Sequence, residues 1–400
     1  MSFRVLFITN LFPIEENPTS GIFIVKRLQQ YKKFGVSYTA VSIGFEVDFI
    51  LRFLRKILKK PEKIPLKTYQ NVQFLPIVIK RNVFKVFKNK IFPEYYKKLV
   101  KKYVEEISLK VDVNSYDVVH AHGMYHIPAG MIAEKIAERY NKPFLITVHG
   151  SDINLLMSKR KKEYIKTFEK ANKVIFVSKA LLEKAKSLGY SGKNAVVIPN
   201  GYDPEIFYPI DKEKVRRDLG IFKENYKYVG FIGNLIPIKR ADKLPDIFHY
   251  IVEEIPNVCF IVVGDGYLRE EIEEKTKDLD IVFTGRISQE KVAKYMNAMD
   301  VMVLPSRNEG WPCVVLEAQA CGTCVVGSSS GGIPEAIGFE EYVVKEGENF
   351  EERFARKVVD VLKKGYDRNR LIERAKGFTW EEIVKREIKI YSLIRGKNKK

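Results

Sequence analysis

Short β-branched and aromatic runs recur along the chain, each followed by a stretch whose apolar positions keep helical spacing. That alternation predicts βαβ units and parallel sheets. In the first half the candidate strands are RVLFIT, SYTAVSIG, VQFLPIVI, DVVHAH, PFLITVHG, KVIFVS and AVVIPN. In the second half they are YVGFIGN, VCFIVVGDG, DIVFTGR, VMVLPSR, TCVVGSS and EYVVKEG. Between the two series NGYDPEIFYPID (200–211), rich in Gly, Pro and Asp, reads as an interdomain linker. The last apolar pattern, FTWEEIVKREIKIYSLI, predicts a helix with Thr379 as N-cap and Glu382 at the capping-box position. Two α/β domains, of roughly 200 and 170 residues, are expected.

Open parallel sheets bind ligands outside the carboxyl ends of their strands, and two such sheets facing each other leave a cleft there. The polar and Gly-rich residues fall at those ends. The first half contributes Asn10, Ser20-Gly21, His120, His122 and the run from His149 to Asp152. The second contributes Gly233-Asn234, Gly264 to Gly266, Gly285-Arg286, Ser306 to Glu309 and Ser328 to Gly332.

Composition narrows the class. With 46% hydrophobic residues, 400 residues can form sizeable cores, and no apolar run approaches the eighteen residues of a membrane span. MSFRVLFITNLFP reads as a first strand rather than a signal peptide. Four cysteines, three of them between Cys313 and Cys324, do not make a secreted disulfide framework, so a cytoplasmic location is expected. The net charge of +19 lies almost wholly in residues 1–200, which hold 36 Lys and Arg against 16 Asp and Glu.

The stretch NEGWPCVVLE (308–317) carries two carboxylates eight residues apart. Pro312 belongs at a helix start rather than an interior, so Glu309 is expected on a loop and Glu317 on the second turn of the helix that follows. Both then lie near a helix N-terminus, which favours an anion. A glycosidase acid–base pair is one reading, but both groups come from one side of the cleft. Carboxylates are also good acceptors for the vicinal hydroxyls of a ribose or hexose. FIGNLIPIKR places Lys239 and Arg240 shortly after a strand end, where a Lys can meet a phosphate. SSSGGIPE is a Gly-rich turn suited to close approach of a phosphate. It is neither a P-loop nor a G-x-G-x-x-G fingerprint. In HAHGMYH, His120 and His122 share a strand face while His126 falls past a turn, so a metal site is disfavoured against a structural or substrate-contacting His122. Cys321-Gly-Thr-Cys324 has redox spacing without a redox context and reads as packing.

Taken together, NPTSGIFI, VVHAHG, TVHGSD, VSKAL, VIPNGYD, FIGNLIPIKR, VVGDGYLRE, FTGRI, the block from Val301 to Glu335 and FTWEEI resemble a retaining glycosyltransferase of the GT-B fold, family 4. NPTSGIFI with GNLIPIKR particularly resembles teichuronic-acid-type and related cell-surface polysaccharide transferases. The resemblance implies two Rossmann-like domains facing across a cleft. One is an acceptor domain at 1–203 to which a helix at 379–396 returns, and the other a donor domain at 204–378. It implies a hexose transferred from a nucleotide-diphospho-sugar to a lipid-linked or saccharide acceptor, with no metal or other cofactor. Glu309, with Gly310, would meet the donor sugar and Glu317 the ribose. Gly21 and Gly266 would approach the donor, Lys239 would neutralise its diphosphate, and Arg286 would frame the base. His122 would sit beside the anomeric carbon, making His122, Glu309 and Lys239 the catalytic candidates, with His149 and Asp152 on the acceptor side. Asn234 stands where the family often has an Arg, a gap that Arg240 could fill. Cys324 stands where a Pro is common.

Two competing functions remain at this level. A sugar-nucleotide epimerase of the same build would turn over donor without acceptor. A nucleic-acid-binding protein would need aromatics on a basic groove, whereas Phe84, Phe87, Phe92 and Tyr95-Tyr96 are spaced as a helix's apolar stripe; nucleic acid is not the expected partner. VDFILRFLRKILKK (47–60) has the pattern of a basic amphipathic helix, with Arg52, Arg55, Lys56, Lys59 and Lys60 between apolar pairs. Such a helix can lie on an anionic membrane, so a peripheral position on its cytoplasmic face is expected.

Overall fold

The structure is a computed structural model that describes residues 3–15, 20–47, 64–81 and 93–397. The chain divides into two compact units, Met1–Pro199 with Ile383–Lys400, and Asn200–Glu382. The membrane candidates Arg52, Arg55, Lys56, Lys59 and Lys60 lie outside the described residues. No helix among the described residues is long and apolar enough to cross a membrane.

The first unit holds an eight-stranded sheet. Its strands are β1 (Arg4–Thr9), β2 (Ser37–Val47), β3 (Thr68–Tyr69), β4 (Val72–Arg81), β5 (Val118–His122), β6 (Phe144–Val148), β7 (Lys173–Phe176) and β8 (Ala195–Val197). The order is β3-β4-β2-β1-β5-β6-β7-β8. Every pairing is parallel except the short β3–β4 hairpin. That hairpin has no counterpart among the expected strands. Its two-residue turn is Gln70-Asn71, both at positive φ, a geometry usually signalled by Asn-Gly. Without a glycine the turn gave no sequence signal.

The second unit holds six parallel strands: β9 (Lys227–Ile232), β10 (Val258–Val263), β11 (Ile281–Gly285), β12 (Val301–Leu304), β13 (Cys324–Ser328) and β14 (Val343–Val344). Their order is β11-β10-β9-β12-β13-β14. Val258 to Val263 and Val301 to Leu304 are buried on both faces, because helices cover each side of a parallel sheet. Each sheet reverses its strand order once, between β1 and β5 in the first unit and between β9 and β12 in the second. Loops diverge at such a switch point and open a crevice.

Residues 200–211, expected as a linker, are instead packed into the second unit. Tyr202 and Phe207 are buried in its core, and the Ile210 N–H donates to Asn297 Oδ1 at 2.7 Å. The Tyr202 N–H donates to the Phe378 carbonyl and the Trp380 N–H to the Tyr202 carbonyl. The last helix, Trp380–Lys397, starts at the expected cap, where Thr379 Oγ1 accepts from the Glu382 N–H at 3.3 Å. From Ile383 onward that helix belongs to the first unit.

Candidate functional site

In the second unit the switch point gathers three loops. The loop after β9 turns through a short 3-10 segment, Pro237–Lys239, and puts Arg240 at φ 53°. Across the crevice, the loop after β12 is stitched to it. The Arg307 N–H donates to the Ile238 carbonyl at 2.9 Å, and the Arg307 guanidinium forks onto Asp242 at 2.6 and 2.8 Å. A bidentate pair of this kind fixes orientation as well as distance. The result is that Lys239 Nζ, from one side of the switch point, meets Glu309 Oε1 from the other. Two residues 70 apart in sequence are thus presented as one ammonium–carboxylate pair.

The third loop is the Gly-rich turn after β13. The Gly332 N–H donates to the Glu309 carbonyl at 2.9 Å. Gly331 has φ +58°, and a Cβ there would stand 2.3 Å from the same carbonyl. No other side chain fits so close a backbone approach. Glu309 is therefore on a loop, as expected, and its backbone is locked to the candidate phosphate turn. Pro312 caps the helix Cys313–Ala320, which projects Glu317 from its second turn. Trp311 anchors the intervening loop, donating through Nε1 to the Asn200 carbonyl at 3.0 Å.

Glu317 is half-buried, and burial with the nearby Asp203 carboxylate pushes its pKa up to about 7. As the expected ribose contact, an ionised Glu317 would accept from both hydroxyls of a diol; a protonated one has lost half that capacity. Because the folded pKa is raised, the carboxylate forms only as pH climbs through about 7. Donor kcat/KM should therefore fall as pH drops below about 7 and level off above it, and in Glu317→Gln this limb should be flat and lowered. Steady-state kinetics against pH checks both.

The remaining donor-side candidates divide. Asn234 and Arg286 are exposed at the carboxyl ends of β9 and β11, and Gly310 follows Glu309 on the same loop. Gly266 lies backbone to backbone with the β9 loop, since a Cβ on it would meet the Leu235 carbonyl at 2.3 Å. Arg240 does not take the vacant Arg role. Its guanidinium lies 3.8 Å over the Phe350 ring and donates to Glu346 Oε2 at 2.7 Å. Glu346 Oε1 in turn accepts from Ser330 Oγ at 2.7 Å, so Arg240 braces the Gly-rich turn rather than leading into the crevice.

The first unit assembles its candidates at its own switch point. Gly21 stands at the N-cap of the helix Ile22–Lys33 with φ 66°. Phe23, two residues on, packs against His149 with ring centroids 4.7 Å apart. His122, at the end of β5, is fully buried and turns Nδ1 to His149 Nε2 at 3.2 Å. Among the described residues His122 Nε2 and His149 Nδ1 find no partner. Burial, with the neighbouring imidazoles and Arg27, holds both rings well below the ordinary histidine pKa. They are neutral at pH 7 and can exchange hydrogen bonds but bring no positive charge. Asp152 is fully buried, and its carboxylate accepts from the N–H groups of His149, Gly150 and Ile153 at 2.8 to 3.2 Å. Its oxygens shape the turn that carries His149, which places Asp152 behind the site.

Among the described residues no group of three His, Cys, Asp or Glu could hold a metal ion. All four cysteines are free, and burial pushes the Cys321 and Cys324 thiols up, as packing groups rather than a redox pair.

The sequence matches the model of "Glycosyl transferases group 1" over residues 211–378 and that of "Glycosyltransferase Family 4" over residues 42–206. It is 30% identical to the uncharacterized glycosyltransferase MJ1607 of Methanocaldococcus jannaschii over 70% of this chain and 76% of that protein. The chain belongs to the group 1 glycosyltransferases of family 4. The putative teichuronic acid biosynthesis glycosyltransferase TuaC of Bacillus subtilis is 26% identical over 85% of each chain. The crystal structure of Anabaena HepE, in complex with UDP and glucose, superposes with a TM-score of 0.67 over 98% of this chain and 99% of that one. At 18% identity that likeness shows the fold: two Rossmann-like domains of the GT-B class.

For this glycosyltransferase, sequence reasoning missed the residues that set the site rather than enter it. Arg307 and Asp242 are 65 apart, and Arg240 and Glu346 are 106 apart. No periodicity or motif links such pairs. The one available signal was Trp311, a large aromatic between the two glutamates.

Proposed function

We propose that this enzyme is a retaining transferase that moves a hexose from a nucleotide-diphospho-sugar without a metal ion. The observation that carries the reading is the Lys239–Glu309 pair at the β9/β12 switch point, backed by the amide of Gly332. A diphosphate leaving group gains charge as its bond to the anomeric carbon breaks. Fixed donors aimed at that charge stabilise it without reorganisation. Lys239 is such a donor, while Glu309 accepts from sugar hydroxyls and Glu317 from the ribose. The bond from the anomeric carbon to the β-phosphate oxygen breaks and the bond to the acceptor oxygen forms on the same face. The acceptor's proton passes to the departing phosphate. Glu309 is not needed as a base.

HepE's complex with UDP and glucose supports a uridine diphosphate sugar as the first donor to try, and TuaC's name supports a cell-surface saccharide or lipid-linked acceptor. A panel of UDP- and GDP-hexoses, with hydrolysis read as release of the nucleoside diphosphate, tests the reading. Turnover is expected to be selective for one nucleotide sugar and to persist in EDTA. Activity lost in EDTA and restored by Mg²⁺ or Mn²⁺ would overturn the metal-free assignment. Interconversion of the sugar without release would favour an epimerase.

A further inference from the structure

Behind His122, the first unit buries a run of polar side chains that the transfer scheme does not use. Arg27, Tyr31, His120, Thr147, Glu387 and Tyr391 are all at most 1% exposed. Two come from the last helix, two from the helix Ile22–Lys33, and one each from β5 and β6. Arg27 Nε lies 3.0 Å from Glu387 Oε1, and Tyr31 Oη donates to Glu387 Oε2. The Tyr31 and Tyr391 hydroxyls are 3.0 Å apart. Tyr391 Oη lies 2.6 Å from His120 Nδ1, and His120 Nε2 lies 2.8 Å from Thr147 Oγ1.

Each link in this chain needs one hydrogen, and each hydroxyl has one to give. Burial raises the Glu387 pKa, but the Arg27 guanidinium 3.0 Å away and the Tyr31 hydroxyl both favour its charged form, so Glu387 is taken as a carboxylate that only accepts. Tyr31 spends its hydrogen on Glu387. The contact between the two tyrosines must then be a donation from Tyr391 to Tyr31. Tyr391 has none left for His120, so the His120 Nδ1–H donates to Tyr391, and Nε2 accepts from Thr147. The opposite direction leaves the tyrosine–tyrosine contact without a hydrogen. The His120 ring is thereby fixed in tautomer and in rotation. His122 lies directly on it, with centroids 4.4 Å apart, and Phe7 packs against both rings at 5.3 and 5.7 Å.

We infer that Tyr391 and Glu387 of the last helix, with Tyr31 and Arg27, are positioning residues for His122: the buried chain they form pins the His120 ring against which His122 is seated. The inference rests on the reading of His122 as a substrate-contacting group. A misplacement of about 1 Å at such a group can cost on the order of a hundredfold in rate. The chain also ties the helix that passes from the second unit into the first to the end of the strand carrying His122.

Histidine ¹⁵N NMR on the full-length protein, with kinetics on the same UDP- and GDP-hexose panel, tests this. In the parent protein His120 should carry its hydrogen on Nδ1. Tyr31→Phe removes Tyr391's acceptor, frees its hydrogen for Nδ1, and should turn His120 to the Nε2–H form. Its kcat should fall about tenfold with donor KM little changed, since the proposed contacts of Lys239, Glu309 and Glu317 with the donor belong to the second unit. Tyr391→Phe should lower kcat at least as much. A parent His120 protonated on Nε2, or no tautomer change in Tyr31→Phe, overturns the chain as drawn. A tautomer change with wild-type kcat in both variants, and only a lowered Tm, overturns the positioning role. If the parent hydrolyses nothing in the panel, the transferase reading fails and takes the positioning role with it, while the NMR result decides the hydrogen-bond chain independently.

Discussion

Lys239→Ala is expected to lower kcat/KM for the donor by about a hundredfold, the scale seen when one fixed donor to a developing oxyanion is removed. The physical reason is twofold. The ammonium is paired with Glu309 across the switch point, whereas Arg240, its neighbour in sequence, is turned onto Glu346 and Phe350. Its loss also strands the Glu309 carboxylate, whose side chain is only 13% exposed, without its counter-ion. Lys239→Arg should recover part of the loss, since charge survives but a planar fork replaces a point charge. Arg240→Ala should act differently, through loosening of the turn at Ser330, with a smaller effect on rate. Steady-state kinetics on the three variants separates these outcomes. Equal losses in Lys239→Ala and Arg240→Ala would mean that the phosphate site has been misassigned.

Glu309→Ala is expected to fall mainly on kcat, by roughly 10- to 100-fold, with donor affinity little changed. The sugar moves and gains positive character as its bond to phosphate breaks, so a carboxylate at its hydroxyls is worth more in the transition state than before it. Glu317→Ala should fall mainly on donor KM, because the ribose does not change during the reaction. Each loss corresponds to about 1–3 kcal/mol, the range for a hydrogen bond to a charged group. The contrast between the two variants is the informative quantity. Wild-type turnover in Glu309→Ala would remove this residue from the chemistry. Calorimetric titration with UDP adds a check: Glu317→Ala should weaken binding, whereas Glu309→Ala should not, since UDP has no hexose.

The local elements of this enzyme were legible because their signals are local. Alternation of β-branched runs with helical spacing needs only neighbouring residues, and all thirteen expected strands form. Pro312 marked a helix start, Thr379 marked another, and together they placed Glu309 on a loop and Glu317 on a helix. Where the signal was weak the reading failed for a definite reason. The Gln70-Asn71 turn lacks the glycine that normally announces positive φ, so β3 escaped notice. The run 200–211 has a linker's composition, yet Tyr202 and Phe207 supply enough apolar surface to be drawn into the core.

The sequence by itself determined the fold class, the family and the set of residues at the carboxyl ends of the strands, because each of these follows from short-range pattern and motif. Only the tertiary structure decided which of those residues meet. Strand order put β9 beside β12 and so brought Lys239 to Glu309, while the fold sent Arg240 to Glu346. It also set the last helix against His120, where a chain of single hydrogens fixes the ring beneath His122. Such pairings depend on distances between residues up to 360 positions apart, and on whether burial leaves each group a partner. Neither quantity is written in any stretch of sequence short enough to read.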